Sequence, residues 1–413
     1  MKIADLTVRE FHVKSYTMTD ICAHGHPGSE SDSAAFMMTL VAEDGTEGHY
    51  FSSSFHAVPS ERYNVPAGSF SMVRTKGMST PEILRSVVKT MVVGEDVFAR
   101  EKVFNKLFQM QRLNGAISDR ILAYVDCAMW DLAGQITGQP VYRLLGGGHR
   151  ERVKAYASSM VGDHYEGGLN TPEDYANFAE QCKKAGYQAF KLHTWAERDW
   201  DDATIRAKGD WKHDLEACEA VRGRVGPDMA LMLDCYHYYD RHDALQLGLG
   251  IERLGYAWFE EPMDEYSVSS YKWLCENLKI PVCGPEVALG KLQTRAEWIA
   301  RGACDIVRTG AFDVGGLTPS MKIAHLCEAF GLPLEVHSPG LANLHMLAAL
   351  TIPGEYYETG LLHPFLKSVT PPWLNRQIDE VDTDGYVHVP QGPGMGWDIN
   401  YDYIEANEIN KIH

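Results

Sequence analysis

The chain has 413 residues, of which 45% are hydrophobic and 23% are charged, and its formal net charge is −18. This composition is typical of a folded globular protein, and the length favours two domains or one large barrel with additions. The negative charge argues against nucleic acid and membranes as partners, since both need basic surfaces, and no apolar run approaches the roughly 18 residues of a membrane span.

The first 60 residues predict an antiparallel sheet. Residues 43–45, Glu-Asp-Gly, form a turn between two apolar runs, which is a hairpin pattern. Residues 20–33 are polar and contain glycine, so they predict a loop that carries His24 and His26. The predicted strands are residues 3–13, 35–42 and 48–55.

From residue 79 to residue 134 the pattern becomes helical. Pro81 follows Thr80 at a favourable helix start. Residues 119–134 have apolar side chains at three- and four-residue spacing, and Gly134 is a candidate helix end. The first third of the chain therefore predicts strands followed by helices.

After residue 150 short apolar strands alternate with helices. The clearest unit is residues 171–193, in which Thr171 caps a helix, Pro172 suits its first turn, Gly186 ends it and a strand follows. Such alternation makes a parallel sheet, and eight strands fit a closed barrel whose active site lies at their carboxyl ends. Residues 152–159 supply the first strand, and the later strand ends are Asp234, Glu260, Glu286, Gly310, His337 and Glu358.

Three of these strand ends predict a metal site. Asp234, Glu260 and Glu286 end consecutive strands, which lie about 4.8 Å apart in a sheet, so their carboxylates converge. One such acid alone would be read as a solvated loop residue, but three converging anions repel one another unless a cation lies between them. Oxygen ligands favour a hard ion, so we expect one Mg²⁺ per subunit, with Mn²⁺ as the alternative.

Basic groups flank the predicted metal site. Lys191 and His193 are two residues apart and share a strand face, so both point into the barrel mouth if Phe190 and Leu192 face the helices. A shielded lysine beside a metal can lose its proton near neutral pH; the alternative is a Lys–acid pair that closes the barrel. His337 ends a strand roughly across the barrel. This pattern favours removal of the proton α to a metal-bound carboxylate.

The sequence resembles the enolase superfamily, in particular the mandelate racemase-like subgroup of acid-sugar dehydratases. The resemblance covers nearly the whole chain. It rests on the Asp/Glu/Glu ligands, the Glu-Glu-Pro motif and three runs: WDLAGQITGQPVYRLLGG (130–147), GGLTPSMKIAHL (315–326) and PGMGWDI (393–399). It implies an α/β fold, a modified TIM (β/α) barrel with an N-terminal α+β capping domain. The implied parts are a capping domain at 1–148, a barrel at 149–365 and a returning C-terminal segment at 366–413.

The resemblance also implies roles for residues around the site. Loops of the capping domain would close over the substrate. Glu358 resembles the acid that hydrogen-bonds the substrate carboxylate, which requires Glu358 to be protonated or to share a proton. The expected substrate contacts are His24, His26, His56, Tyr236 and Arg308.

Two departures from the family pattern bear on the chemistry. Where the family often has Lys-x-Lys on the second strand, this chain has Lys191 and His193. The family's aspartate at the end of the sixth strand aligns with Gly310, and Asp313 lies three residues further on, where we expect it not to reach. Without a carboxylate partner, His337 is harder to hold as an imidazolium, which disfavours a racemase with two strong bases.

We therefore predict a Mg²⁺-dependent sugar-acid dehydratase. Lys191, with His193 as the alternative, takes the α-proton of an aldonate or aldarate. His337 then gives a proton to the departing β-hydroxyl, and the product is a 2-keto-3-deoxy acid. A racemase, epimerase or cycloisomerase that uses the same enolate is one alternative, and an inactive metal-binding barrel is another.

The sequence also carries expectations about the setting of the protein. Nine cysteines without CxxC pairs indicate reduced thiols in a cytoplasmic protein. The family resemblance implies a homo-oligomer and a small-molecule sugar-acid substrate. The length and configuration of that substrate, its number of carboxylates and the role of residues 194–213 stay open.

Overall fold

The structure is a computed structural model, and three predictions fall outside the residues that it describes: His24, the tip of the predicted loop at 20–24 and most of the segment 194–213. Eight cysteines lie within the described residues, and all eight are free thiols. No helix in these parts of the chain is long and apolar enough to cross a bilayer. The described residues are 1–19, 25–53, 55–63, 79–193, 210–352 and 354–409.

The N-terminal sheet is a long antiparallel hairpin with a third strand beside it. Strands β1 (Ile3–Thr19) and β2 (Gly25–Ala42) stay paired out to Thr19 and Gly25, and β3 (Glu47–Phe51) pairs with β2. The predicted hairpin is confirmed, but the predicted loop is wrong for residues 25–33, which belong to β2. Polar side chains stabilise this ribbon across the strands, as in the 2.8 Å contact from Lys14 Nζ to Asp32 Oδ1.

Helices follow this sheet, as predicted. The longest, α4 (Asp119–Thr137), is capped by Ser118 and ends at Gly138, which has φ 63°. Gly134 was predicted to end this helix and does not: it lies inside it, where a Cβ atom would be 2.5 Å from Gly394 Cα. The helical segments before α4 are α1 (Thr80–Ile83), a π-helical turn (Leu84–Val88), α2 (Lys89–Val92) and α3 (Arg100–Gln111).

Eight parallel strands form a nearly closed barrel, which confirms the predicted count. Each strand pairs with the next along the chain from the first to the seventh, and the eighth pairs with the first. The barrel strands are β5 (Arg152–Ser159), β6 (Ala189–His193), β7 (Ala230–Asp234), β8 (Trp258–Glu260), β9 (Val282–Gly284), β10 (Ile306–Thr309), β11 (Leu334–Val336) and β12 (Tyr356–Leu362).

Helices connect the barrel strands. In α6 the Thr171 side chain and Asp174 form a capping box, and Gly186, with φ 102°, follows the helix, as predicted. The helices after α4 are α5 (Val141–Leu144), α6 (Pro172–Lys184), α7 (Trp211–Val225), α8 (Arg241–Arg253), α9 (Val268–Asn277), α10 (Lys291–Arg301), α11 (Ala311–Val314), α12 (Leu317–Phe330), α13 (Leu341–Ala349) and α14 (Tyr401–Ala406).

The C-terminal residues return to the beginning of the chain. Strand β13 (Leu366–Ser368) pairs with β4 (Ala57–Pro59), and β15 (Glu408–Ile409) pairs with β1. Strand β14 (Tyr386–His388) adds to β5 at the edge of the barrel. These pairings tie the chain end to the N-terminal sheet, while the boundaries proposed for the three parts stay a prediction.

The two ends of the barrel interior differ in polarity. Toward the amino ends of the strands the interior is an apolar cluster of buried side chains. Toward the carboxyl ends it holds charged side chains. The members of the apolar cluster are Tyr156, Ala189, Met232, Trp258, Cys283 and Ile306.

Candidate active site at the carboxyl ends of the barrel strands

The three acids predicted as metal ligands lie side by side. Asp234 and Glu260 are the last residues of β7 and β8 and are direct neighbours in the parallel register. Glu286 follows β9 by two residues. The Trp258 indole donates a 2.8 Å hydrogen bond to Glu260 Oε2, and the backbone N–H of Tyr236 donates to Asp234 Oδ1 at 3.2 Å. Strand ends and local hydrogen bonds thus orient the carboxylates toward one region.

Lys191 on β6 lies among these carboxylates and is 1% exposed. Its Nζ is 3.2 Å from Asp234 Oδ2, 3.2 Å from Glu260 Oε1 and 3.1 Å from Glu358 Oε1. Burial and the charge of Arg308 lower the pKa of Lys191, but the carboxylates outweigh them and raise it well above its ordinary value. This arrangement matches the alternative of a Lys–acid pair, and the expectation that the lysine loses its proton beside a metal stays a prediction.

Arg308 on β10 is the second buried cation beneath the carboxylates. Its Nε is 2.7 Å from Glu260 Oε1 and 3.3 Å from Glu286 Oε2, and Nη2 is 2.8 Å from Glu358 Oε2. Arg308 was predicted to contact substrate. It is 0% exposed and does not line the cavity described below. In this structure it pairs with the buried acids instead.

The donor atoms of these three acids suit a hard cation. All the candidate donors are carboxylate oxygens, the ligands that Mg²⁺ prefers. Burial, with smaller contributions from Asp313 and Glu260, raises the pKa of Glu286 to about 8 against the charges of His337 and Arg308. Within the described residues no group of three His, Cys, Asp or Glu side chains is arranged to hold a metal as it stands, because Lys191 and Arg308 lie between the acids. The ligand assignment stays a prediction.

His337, directly after β11, has a carboxylate partner. Its Nδ1 is 3.0 Å from Asp313 Oδ2, and its Nε2 is 3.1 Å from Glu286 Oε1. Burial lowers the pKa of His337, but these two carboxylates outweigh it and raise the pKa to about 9. The prediction that Asp313 would not reach is therefore wrong, and His337 is readily held as an imidazolium.

Gly310 explains how Asp313 reaches His337. A Cβ atom at residue 310 would lie 2.5 Å from Asp313 Oδ2 and 2.6 Å from the His337 carbonyl oxygen. The short helix α11 (Ala311–Val314) turns the chain back, so the Asp313 carboxylate occupies the space that a side chain at 310 would fill. The carboxylate is therefore supplied from the loop rather than from the strand end.

His193 and Tyr236 both line the cavity. The Nδ1 of His193 hydrogen-bonds the Ser159 carbonyl oxygen, and its Nε2 is 3.1 Å from Asp234 Oδ2. The rings of His193 and Tyr236 are 4.8 Å apart. This placement agrees with the predicted contact of Tyr236 with substrate and leaves the role of His193 as a prediction.

Glu358, at β12, is ionised in this arrangement. The backbone N–H of Ser338 donates to its Oε2 at 2.8 Å, beside the contacts from Lys191 and Arg308. Burial raises the pKa of Glu358, but these cations outweigh it and lower the pKa well below its ordinary value. The expected proton between Glu358 and a substrate carboxylate stays a prediction.

A cavity of about 330 Å³ lies over these groups. Residues Thr17, Gly25 and Phe55 form its outer wall, so the N-terminal region covers the barrel mouth, as the family resemblance implied. His26 is fully buried and His56 packs on Trp373, and neither lines this cavity.

Sequence reasoning missed several lining residues. Ser338 and Pro339 follow a strand-end residue that was identified, and Met160 follows the end of β5. Their position one or two residues beyond a strand end was the available signal. None of these three residues has a side chain that titrates, which is the property that marks the predicted strand-end residues.

Comparisons with known proteins agree with this geometry. The model of the family described as enolase C-terminal domain-like matches residues 174–403. The crystal structure of a D-glucarate dehydratase from Agrobacterium tumefaciens complexed with magnesium is 48% identical, with a TM-score of 0.86, and the match covers 99% of this chain and 100% of that chain.

Curated relatives are more distant. An arabinonate dehydratase of Saccharolobus solfataricus is 29% identical, over 76% of this chain and 80% of that protein. A D-galactarolactone cycloisomerase of Agrobacterium fabrum is 30% identical, over 76% of this chain and 81% of that protein. The relatives therefore include two reaction types on one scaffold.

Proposed function

The chain belongs to the enolase superfamily, and from this membership and the geometry of its cavity we propose that it is a magnesium-dependent sugar-acid dehydratase. The single observation that carries the proposal is the placement of Lys191 and His337, which line one cavity from strands separated by β12 and β5. Dehydration needs a base for the α-proton and an acid for the leaving hydroxyl. The product is a 2-keto-3-deoxy acid.

Lys191 is proposed as the base, with His193 as the alternative. Bound Mg²⁺ would engage Asp234, Glu260 and Glu286 and stabilise the negative charge that develops on the substrate carboxylate. Two of these acids, Asp234 and Glu260, now help Glu358 to hold the proton on Lys191. With those two acids engaged by a cation, only the Glu358 contact would oppose the effect of burial, which favours the neutral lysine that can accept the α-proton.

His337 is proposed as the acid. Its pKa of about 9 keeps it protonated at neutral pH, so it enters the reaction with a proton to give to the departing β-hydroxyl. Asp313 fixes the ring through Nδ1 and leaves Nε2 to face Glu286 and the cavity. The metal ligands, the acid and the base then surround one substrate.

A second candidate function is racemisation, epimerisation or cycloisomerisation. The specific observation in its favour is the contact between His337 and Asp313, which supplies the His–Asp pair that the sequence lacked at Gly310. A relative that is 30% identical is a cycloisomerase. The two candidates differ in product, because only dehydration forms a 2-keto-3-deoxy acid.

The test is a screen of the purified protein with Mg²⁺ against aldonates, aldarates and their lactones, with parallel reactions in D₂O. Formation of a 2-keto acid supports dehydration. Deuterium uptake without a keto acid supports racemisation or epimerisation, and conversion of a lactone without loss of water supports cycloisomerisation. Metal binding with no reaction and no exchange would contradict both candidates and support the inactive barrel.

The remaining expectations are part of the proposal. We propose one Mg²⁺ per subunit with Mn²⁺ as a substitute, a homo-oligomeric assembly and a cytoplasmic location. Magnesium is supported by the complex of the D-glucarate dehydratase that is 48% identical. The free thiols of the described cysteines are consistent with a reducing compartment.

A further inference from the structure

A second cavity of about 220 Å³ adjoins the first. The two cavities share Phe55, His337, Ser338 and Pro339 as lining residues, so they meet at these four residues. We call this second cavity the distal lobe. Its other lining residues are Ser52, Ser53, Arg120, Tyr124, Phe312 and Asp313.

The distal lobe contains a cationic side chain that forms no ion pair within the described residues. Arg120, in the first turn of α4, is exposed and makes no ion pair or hydrogen bond with any residue that the structure describes. The nearby acid Asp313 is already paired with His337. Arg120 is therefore available to an anionic ligand.

Two hydroxyl groups of the distal lobe are also available as donors. Tyr124 lies one turn after Arg120 on α4, and its hydroxyl makes no hydrogen bond within the described chain. The Ser52 Oγ accepts a 2.9 Å hydrogen bond from the Phe36 N–H, which leaves its own proton free to donate. A guanidinium and hydroxyl donors on one wall suit a carboxylate.

We propose that the distal lobe binds the second carboxylate of a dicarboxylic sugar acid and that Arg120 is its counter-ion. This inference rests on the proposed function and names its substrate class: an aldarate in preference to an aldonate. The reacting carboxylate lies at the acids of the first cavity, and the carbon chain passes His337 and Ser338 to reach the lobe. An aldonate ends in a neutral hydroxymethyl group and leaves Arg120 without a partner.

The test compares substrates that differ only in that end group, glucarate with gluconate and galactarate with galactonate. The wild type is expected to have the higher kcat/KM for the diacid of a pair. Arg120→Gln is expected to lower the diacid-to-monoacid ratio of kcat/KM by about tenfold to a hundredfold, and Arg120→Lys by less. Arg112→Gln, on an exposed arginine at the end of α3, removes the same charge and should leave the ratio unchanged.

The outcomes separate this inference from the proposed function. A ratio that does not change in Arg120→Gln, or a wild type that prefers the monoacids or dehydrates neither diacid while dehydrating other sugar acids, would overturn the inference alone. A wild type that forms no keto acid from any sugar acid would overturn the proposed function and the inference with it. An unchanged melting temperature of Arg120→Gln excludes misfolding as the cause of a lowered ratio.

Discussion

The two basic groups of the cavity differ in what surrounds them. Lys191 is 1% exposed, and three carboxylates lie within 3.2 Å of its Nζ. The His337 side chain is 27% exposed, and its two ring nitrogens each contact one carboxylate, of Asp313 and Glu286. Two of the acids around Lys191 are candidate metal ligands, whereas Asp313 is not.

Because of this difference, the protonation of Lys191 changes more easily than that of His337. The protonation of Lys191 depends on acids that a cation would engage, so it can change when the metal and substrate bind. His337 also contacts a candidate metal ligand, Glu286, but its second partner, Asp313, is not one, so one of the two carboxylates that raise its pKa remains when a cation binds. The proposed base and the proposed acid therefore lie on different walls of the cavity, and variants of Lys191 and His337 test the two roles separately.

Lys191→Ala should have the largest effect. Without the base, kcat is expected to fall by at least about 10³-fold, measured as keto acid formation. The change removes one cation from among the candidate metal ligands and leaves Arg308 in place, so Mg²⁺ binding, measured by calorimetry, should persist. Turnover at the wild-type rate would contradict the base assignment, and His193→Asn then becomes the variant to examine.

His337→Asn should lower keto acid formation by about 10²- to 10³-fold. Because Lys191 remains, exchange of the substrate α-proton in D₂O, measured by NMR, is expected to continue. Asp313→Asn keeps the imidazole and removes one of the two carboxylates that raise its pKa, so the expected loss is smaller, about tenfold to a hundredfold. Loss of both exchange and dehydration in His337→Asn would instead make His337 the base.

The parts of the site that sequence could predict are those set by the barrel itself. Asp234, Glu260 and His337 could be predicted because apolar strands end at or directly before them, and a parallel barrel brings strand ends together. Glu358 was predicted to end a strand and instead lies inside β12, which continues to Leu362. Arg308 was predicted as a site residue, but its pairing with the acids was not. That pairing depends on the direction of its side chain inside the barrel relative to its neighbours.

What sequence could not predict depends on contacts between distant segments. Asp313 reaches His337 only because α11 turns the chain back beside Gly310. His26 is buried because β2 continues along β1 through a polar segment, and cross-strand pairing is not visible in a hydrophobic pattern. The polar composition of residues 25–33 therefore predicted a loop where the structure has a strand.

Gly310→Ala tests the origin of the His–Asp contact. The added methyl group would lie 2.5 Å from Asp313 Oδ2 and 2.6 Å from the His337 carbonyl oxygen, so it must disturb both partners of the contact. The expected loss of kcat is about tenfold, close to the lower bound for Asp313→Asn. Gly223→Ala, inside α7, is a matched control, because nothing lies within 4 Å of its new Cβ. It should leave kcat unchanged and stabilise the helix slightly. Wild-type kcat in Gly310→Ala would mean that Asp313 is dispensable.

The smallest expected effect concerns a histidine with the opposite environment to His337. His345 accepts a hydrogen bond from the Tyr142 N–H and contacts the Met395 carbonyl oxygen, and burial lowers its pKa to about 4. As pH falls from 6.5 toward 4, His345 is protonated in the unfolded chain before it is protonated in the folded protein. Acid therefore lowers the free energy of unfolding by up to about 3 kcal/mol. His345→Gln should flatten the fall of melting temperature over this range, whereas His242→Gln, on an exposed histidine, should not. Equal slopes for the two variants would contradict the assignment.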